Sequence, residues 1–221
     1  DVINKYHSSI NSYRNSSSHY HTDRNFIILL WNAQSLDNIS KFNIFRQAIN
    51  NLSLDIIIIS ETWFSYQNNK FMIHNIPGFN VETVSRTNKR GGGLAIYIRK
   101  HLKYSHVELD DSHDLMIVSL KLWINNQWIK LTGLYRAPRY DINPLFNKIE
   151  ELLDNSTNGI IMGDININTR AKNNQTESFL SLIDTFGACV VNNQITRPSS
   201  GTVIDHVISK GVEFSSIHTV Q

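Results

Sequence analysis

Polar side chains stand where several apolar segments of this sequence end. In "GIIMGDIN", residues 159–166, an apolar run is followed by Asp164 and, two positions later, by Asn166. Alternate residues of a strand point to the same face, so this spacing predicts an acid and an amide that face one site. A strand that runs into a polar turn would contain the same residue types, and this stretch alone favours that second interpretation.

The same pattern recurs elsewhere in the chain. Asn32 ends "FIILLWN" and Glu61 ends "DIIIISE". Tyr135 ends "WIKLTGLY", whereas Asp205 lies inside "TVIDHVI". Each residue alone is compatible with an ordinary turn, but several strands that deliver acids and amides from their carboxyl ends indicate a ligand crevice. Carboxylates, amides and a phenol, without a cysteine or histidine cluster, favour a hard cation such as Mg²⁺.

Strands and helices alternate irregularly along the segments that would position these groups. Continuous apolar runs predict strands buried on both faces at 26–32, 55–61 and 159–164. Pairs of runs that flank turn sequences predict two hairpins, 79–85 with 93–100 and 115–124 with 128–136. A late strand is predicted at 202–209.

Three segments have helical patterns, at 39–50, 143–154 and 177–187. In the second, Asn143 is the predicted N-cap and Pro144 the first helical residue. Hairpins mixed with crossover helices predict an α/β or α+β sandwich, with two sheets and helices outside them.

The composition is that of a protein with a full apolar core and little net charge. The 221 residues are 41% hydrophobic with a formal net charge of +2, and the pI near 8.6 is compatible with a nucleic-acid partner without requiring one. The single Cys189 lies in the apolar run "GACVVNN" and is predicted to be buried. One cysteine excludes an intramolecular disulfide framework and favours a reducing compartment.

The first 25 residues are rich in Ser, Asn, His and Tyr, so we predict a polar linker or arm at 1–25 and the domain at 26–221. No apolar run approaches the ~20 residues of a membrane span, and the polar start gives no secretory signal. We therefore expect an intracellular protein with no membrane partner.

The motifs "WNAQS", "ISETW", "GLYRAP", "GDININ" and "TVIDHV" follow one another as in the endonuclease/exonuclease/phosphatase superfamily, which includes apurinic/apyrimidinic endonucleases and deoxyribonuclease I. With "RGGGLAIYIRK" and "ITRPSSGTVIDHV", the chain more nearly resembles the endonuclease domain of non-LTR (LINE-type) retrotransposons. The resemblance covers about residues 26–209. It implies a four-layered α/β sandwich, with two mixed sheets face to face, and Mg²⁺-dependent phosphodiester cleavage, with Mn²⁺ possible. It also implies nicking of target DNA to leave a 3′-hydroxyl that primes reverse transcription.

The resemblance assigns a role to each polar residue of the predicted crevice. Glu61 would ligate Mg²⁺, which acts as a Lewis acid on the scissile phosphate. Asp164 would orient or deprotonate the attacking water. Asn32 and Asn166 would hydrogen-bond the nucleophile and the phosphate. Tyr135 would donate a hydrogen bond to the phosphoryl oxygens or steady the leaving side.

In the same family the residue that matches Asp205 pairs with a histidine from a Ser-Asp-His motif on the final strand. This sequence contains no such motif after Asp205. His206 should face away from the site because it follows Asp205 directly on a strand, so we interpret it as structural. His218 has no preceding Asp. We therefore expect that the final strand is missing, that Asp205 faces an open sheet edge, and that this 221-residue form nicks weakly or not at all.

The segment "TRPSSGT" is predicted to be an exposed hairpin tip that enters a DNA groove, with Arg197 as a phosphate or minor-groove contact. An ordinary Pro/Ser/Gly turn remains an alternative. Further predicted DNA contacts are Arg136, Thr196, Ser200 and Thr202. The resemblance also implies a reverse-transcriptase domain in the parent protein, a monomer, and a nuclear location when target DNA is nicked. Two other functions stay open: a non-catalytic DNA-binding remnant, and a phosphatase or abasic-site repair enzyme.

Overall fold

The computed structural model of the protein describes residues 8–10, 26–64, 74–86, 91–112 and 114–218. Within these ranges the chain forms two mixed β-sheets. The first contains β1 (Ser8–Ile10), β2 (Phe26–Asn32), β3 (Ile56–Ser60), β4 (Phe79–Val84) and β5 (Leu94–Arg99) in the spatial order β1-β2-β3-β5-β4. The second contains β6 (Tyr104–Ser112), β7 (Leu115–Ile124), β8 (Gln127–Arg136), β9 (Gly159–Asp164), β10 (Cys189–Val190) and β11 (Asp205–Lys210) in the order β10-β11-β9-β8-β7-β6.

The sheets pack face to face and the helices cover their outer faces. α1 (Ile39–Ile49) packs on the first sheet through Phe42 and Phe45. α2 (Ile142–Asp154) and α3 (Asn174–Thr185) share an apolar cluster with the outer face of the second. This order of helix, sheet, sheet and helices confirms the predicted α/β sandwich. None of the described helices is long and apolar enough to cross a bilayer.

β3 shows why a continuous apolar run becomes the centre of this fold. Ile56 and Ile58 face the second sheet, whereas Ile57 and Ile59 face α1. All four side chains are fully buried, and each stabilises the fold by about 1.5–3 kcal/mol relative to exposure. The strand is therefore held on both faces, and the residue that follows it is placed at the rim of both apolar layers.

The predicted hairpins are both present. β4 and β5 pair antiparallel, and β7 and β8 pair antiparallel around Asn125 and Asn126. These two asparagines have φ angles of 50° and 62°, which the two-residue turn needs in order to match the twist of the strands.

Several local predictions differ from the structure. α2 begins at Ile142, so its N-cap is Asp141, whose carboxylate accepts the backbone N–H of Asn143 at 3.2 Å. Pro144 still lies in the first turn, where a helix loses no hydrogen bond to proline. β6 and β10 were not predicted because their sequences are polar or short, and the late strand begins at Asp205 rather than at residue 202. Cys189 is exposed, because β10 is an edge strand.

Part of the predicted arm is a strand, since Ser8–Ile10 pairs antiparallel with the start of β2. The other residues of 1–25 lie outside the described part of the chain.

Candidate active site

Strand register places three of the predicted side chains in one row across the second sheet. Tyr135 on β8 pairs with Asp164 on β9, and Asp164 pairs with Asp205 on β11. Directly opposed residues of neighbouring strands point to the same face. The phenol and the two carboxylates are therefore adjacent at one end of the sheet.

The first sheet brings Asn32 and Glu61 to the same place. Asn32 is the last residue of β2, and Glu61 follows the last residue of β3. Two hydrogen bonds join the sheets here. The Asn32 amide Nδ2 donates to Oδ2 of Asp164 at 2.6 Å, and the Tyr135 hydroxyl donates to Oε1 of Glu61. The structure thus brings together these four residues, which lie up to 132 positions apart in sequence.

Glu61 lies in a strained turn that supplies one of its other two hydrogen-bond donors, and the segment before β5 supplies the second. Glu61 and Trp63 have positive φ angles of 55° and 57°. The Trp63 indole Nε1 donates to Oε2 of Glu61 at 2.5 Å, and the backbone N–H of Gly92 donates to the same oxygen at 3.0 Å. Sequence reasoning gave Trp63 and Gly92 no role, although both lie within the "ISETW" and "RGGG" motifs.

Tyr135 is buried, and its hydroxyl is committed to Glu61 rather than pointing to open solvent. Burial, reinforced by the Glu61 carboxylate, raises the pKa of this hydroxyl far above its ordinary value. The phenol is therefore a neutral hydrogen-bond donor at any physiological pH.

Asn166 does not extend the strand as the two-residue spacing predicted. β9 ends at Asp164, and Asn166 has a left-handed φ of 55°. Its backbone N–H donates to Oδ1 of Asp164 at 3.1 Å, and its side-chain Nδ2 donates to the Arg136 carbonyl at 2.7 Å. The same-face argument is wrong for this residue, and a polar turn describes it correctly, but that turn helps to hold the Asp164 carboxylate.

Arg136 was predicted to contact DNA, and the structure contradicts this. Its side chain is only 3% exposed, and its guanidinium donates to the backbone carbonyls of Ile165 at 2.7 Å, Asn166 at 2.7 Å and Tyr140 at 2.5 Å. Arg136 therefore holds the turn after β9. Successive side chains of β8 point to opposite faces of the sheet, so Arg136 points away from the face that carries Tyr135.

The "TRPSSGT" segment is a hairpin with a buried base and an exposed tip. Thr196 is buried, and its Oγ1 accepts the backbone N–H groups of Ile204 at 3.1 Å and Asp205 at 3.2 Å. Thr196 thus positions the start of β11, and the prediction that it contacts DNA is wrong. Arg197 and Thr202 close the hairpin as a bridge, and residues 198–200 are exposed at its tip. Ser200 and Thr202 share a hydroxyl hydrogen bond of 2.8 Å.

The paired aspartates are electrostatically strained. Burial, and then the neighbouring Asp205, raise the pKa of Asp164 well above its ordinary value, while the Arg197 guanidinium and the Asn32 amide oppose the rise. Burial raises the pKa of Asp205 to about 6, opposed by a hydrogen bond with Thr196 and by Arg197. Oδ1 of Asp205 is buried, with no hydrogen-bond partner in the described part of the chain.

The sequence predicted that Asp205 faces an open sheet edge, but both sides of its backbone have neighbours. β9 pairs with it through Asp164, and on the other side the Asn192 side-chain Nδ2 donates to its backbone carbonyl at 2.8 Å. His206 faces the opposite side of β11, as predicted. It is fully buried, one ring nitrogen lies 2.8 Å from the Ile167 carbonyl oxygen, and the ring contacts Phe179. Burial lowers the pKa of His206 to about 4, so the imidazole is neutral and structural.

The donor set fits a cation that needs few protein ligands. Among the described residues, no group of three or more His, Cys, Asp or Glu side chains is arranged to hold a metal ion. Glu61 is partly exposed at the rim of the crevice, so it can offer one carboxylate. Mg²⁺ is bound in this way, through one or two carboxylates together with water and substrate phosphate.

The profile of the Endonuclease/Exonuclease/phosphatase family matches residues 29–220, and the chain belongs to that family. Members of the family are metal-dependent hydrolases that include nucleases and phosphatases. No curated protein matches the sequence.

Solved structures share the fold at low sequence identity. The endonuclease domain of TRAS1, a telomere-specific non-LTR retrotransposon, superposes with a TM-score of 0.62 at 14% identity, over 84% of this chain and 85% of the other. The AP endonuclease LMAP from Leishmania major gives 0.66 at 12% identity, over 91% and 84%. A mannosyl-6-phosphatase from Bacteroides thetaiotaomicron gives 0.57 at 15% identity, over 83% and 84%.

Proposed function

We propose that this chain is a Mg²⁺-dependent DNA endonuclease, able to use Mn²⁺, that nicks target DNA for target-primed reverse transcription in a non-LTR retrotransposon. The observation that carries the proposal is the pair of hydrogen bonds between the sheets. They support it because they link Glu61, the proposed cation ligand, to Tyr135, and Asp164, the proposed base, to Asn32 at the same end of the two sheets. The proposal includes DNA as the substrate, a reverse-transcriptase domain in the parent protein, a monomeric nuclease and a nuclear site of action.

Asp164 is the group that would take a proton from the attacking water. Each of its oxygens accepts one hydrogen bond, Oδ2 from Asn32 and Oδ1 from the backbone of Asn166, so its orientation is fixed. Burial and Asp205 raise its pKa, and a general base works best when its pKa approaches the working pH.

Glu61 would hold the cation at the opposite side of the crevice, with its carboxylate fixed by Tyr135, Trp63 and Gly92. When bound, Mg²⁺ supplies a Lewis acid that polarises the scissile phosphate and offsets its developing negative charge. Arg197 lowers the pKa of both aspartates, so its positive charge acts at this same place and suits a phosphate oxygen.

A long substrate is favoured over a small phosphate ester by the hairpin beside the site. Its exposed tip, residues 198–200, follows directly after Arg197. A phosphodiester bound at the crevice would therefore continue past a surface that can contact the neighbouring sugar and base edges.

The test is nicking of supercoiled plasmid in Mg²⁺ by the wild type, Glu61→Gln and Asp164→Asn, at protein concentrations high enough to measure the weak nicking expected of the 221-residue form. We expect both substitutions to reduce nicking by at least about 10²-fold because each removes a catalytic group. Glu177→Gln and Asp184→Asn make the same changes at exposed positions of α3 and should retain full activity.

Two other outcomes identify the alternative functions. Cleavage of phosphomonoesters or of abasic-site duplexes, with intact plasmid left uncut, would assign the chain to a phosphatase or repair role. DNA binding without cleavage of any of these substrates would make it a non-catalytic binding domain.

A further inference from the structure

The Glu61 carboxylate is nearly saturated with hydrogen-bond donors. Oε2 accepts two, from the Trp63 indole at 2.5 Å and from the Gly92 backbone at 3.0 Å. Oε1 accepts one, from the Tyr135 hydroxyl. An ionised carboxylate offers about four acceptor positions, two on each oxygen. Among the residues that the structure describes, the remaining acceptor position of Glu61 is therefore on Oε1 alone.

The backbone holds the two Oε2 donors in place. The backbone N–H of Trp63 donates to the Gly92 carbonyl at 2.9 Å, and that of Thr62 donates to the Gly93 carbonyl at 3.4 Å. Gly92 and Gly93 have φ angles of 72° and 92°, in the region that favours glycine. A Cβ on Gly93 would lie 2.3 Å from Oγ1 of Thr62 and 3.3 Å from the Trp63 nitrogen. Only a glycine backbone can approach residues 61–63 this closely.

Strain in the facing segment points to the same arrangement. Both Glu61 and Trp63 adopt left-handed φ angles, which favour glycine and persist only where surrounding contacts enforce them. The left-handed turn places the Trp63 indole against the Glu61 carboxylate. The same strained backbone is therefore what lets the indole occupy an acceptor position on Oε2.

We propose that Trp63 and Gly92 select the cation at this site by restricting Glu61 to binding through one oxygen, Oε1. This inference rests on the proposed function for the presence of the cation. Mg²⁺ and Mn²⁺ suit a single carboxylate oxygen together with water molecules. Ca²⁺ takes more oxygen ligands and readily uses both oxygens of a carboxylate. With Oε2 occupied, the site favours the smaller octahedral ions over Ca²⁺, and Trp63 is a positioning residue for Glu61.

The test is to titrate Mn²⁺ and Ca²⁺ by calorimetry into the 221-residue protein without DNA. Trp63→Phe keeps an aromatic ring and removes the indole donor, which frees an acceptor position on Oε2. We expect the preference for Mn²⁺ over Ca²⁺ to fall by at least about tenfold, because one hydrogen bond to a charged group is worth a factor of that size or more.

Two matched variants separate this effect from a general loss of structure. Tyr135→Phe also removes a donor from Glu61, but from Oε1, so Oε2 stays saturated and the preference for Mn²⁺ should remain. Trp128→Phe makes the same ring change on the exposed β7–β8 hairpin and should change nothing. Glu61→Gln should abolish the binding, and retained binding in that variant would overturn the inference.

A spectroscopic measurement on the folded wild type gives an independent answer. Infrared difference spectra of wild type against Glu61→Gln, with and without Mg²⁺, report whether the carboxylate binds through one oxygen or two. A single-oxygen signature supports the inference, and a two-oxygen signature overturns it. An unchanged cation preference in Trp63→Phe also overturns it, even where plasmid nicking upholds the proposed function. A shifted preference in a protein that cuts no DNA would support the inference and favour the non-catalytic binding domain over the nuclease.

Discussion

The strained pair of aspartates predicts that Asp205→Asn makes the protein more stable at neutral pH. The pKa of Asp205 rises from 3.8 to about 6 in the fold, so the folded state binds more protons than the unfolded state between these pH values. The free energy of unfolding therefore falls as the pH rises through this window. A pKa difference of this size corresponds to about 3 kcal/mol, and partial exposure of Asp205 reduces it to about 1–3 kcal/mol.

Asparagine removes this penalty, and its amide can donate to the Asp164 carboxylate. The neighbouring charge would also be lost, so the pKa of Asp164 should fall and add to the gain. The wild type and Asp205→Asn should therefore have similar stability near pH 4, and the variant should be more stable by about 1–3 kcal/mol at pH 7 and above.

The measurement is urea unfolding, followed by tryptophan fluorescence, at intervals from about pH 4 to pH 8. The difference between the two proteins is the informative quantity, because His206 contributes a slope of opposite sign to both. Its pKa is lowered to about 4, so its contribution to stability is lost as the pH falls below its unfolded value of about 6.5. A stability difference that stays constant across this range would refute the reasoning.

Three further predictions concern the turns around the site. Gly93→Ala should destabilise the fold by more than about 2 kcal/mol, because Gly93 has a φ of 92° and a Cβ there would clash with Thr62. Gly187→Ala is the control and should cost about 1 kcal/mol, because Gly187 has a φ of 65° but nothing lies within 4 Å of the added Cβ. Equal melting temperatures for the two variants would contradict this prediction. Arg197→Ala should move the acidic limb of the nicking pH profile upward, because Arg197 lowers the pKa of Asp164 and Asp205, the proposed catalytic carboxyl groups; a profile that merely scales down would assign Arg197 to substrate binding alone. Replacement of residues 198–200 should redistribute nick positions on a fixed plasmid, and an unchanged nick map would make the tip a simple connector.

Much of the architecture could be predicted from local patterns. The apolar runs of β2, β3 and β9 are long enough to require burial on both faces, and that requirement alone predicts strands at the centre of a layered fold. The residues that end those runs must then lie at a rim. For the same reason, direct succession on a strand sufficed to place His206 opposite Asp205.

Local patterns failed where a side chain's environment is set by remote backbone. Arg136 is a residue type that often contacts DNA. Its guanidinium instead donates to three backbone carbonyls, two in the turn after β9 and one at Tyr140. Threonine is a common turn residue, but the Thr196 side chain is buried and accepts the backbone N–H groups of Ile204 and Asp205. Asn166 leaves the strand because its left-handed turn exchanges hydrogen bonds with Asp164 and Arg136.

The sequence by itself therefore determined which strands are buried, which polar residues end them, and the family to which the chain belongs. Only the tertiary structure decided which of those ends meet. Asn32 and Asp164 are separated by 132 positions, and no local periodicity specifies the register of β8, β9 and β11 or the packing of one sheet on the other. The same holds for the three donors on Glu61, since the Gly92 amide reaches it only after β5 has paired with β3. Spacing along a strand fixes the face of a side chain, whereas its partners across a crevice depend on how distant segments pair and pack.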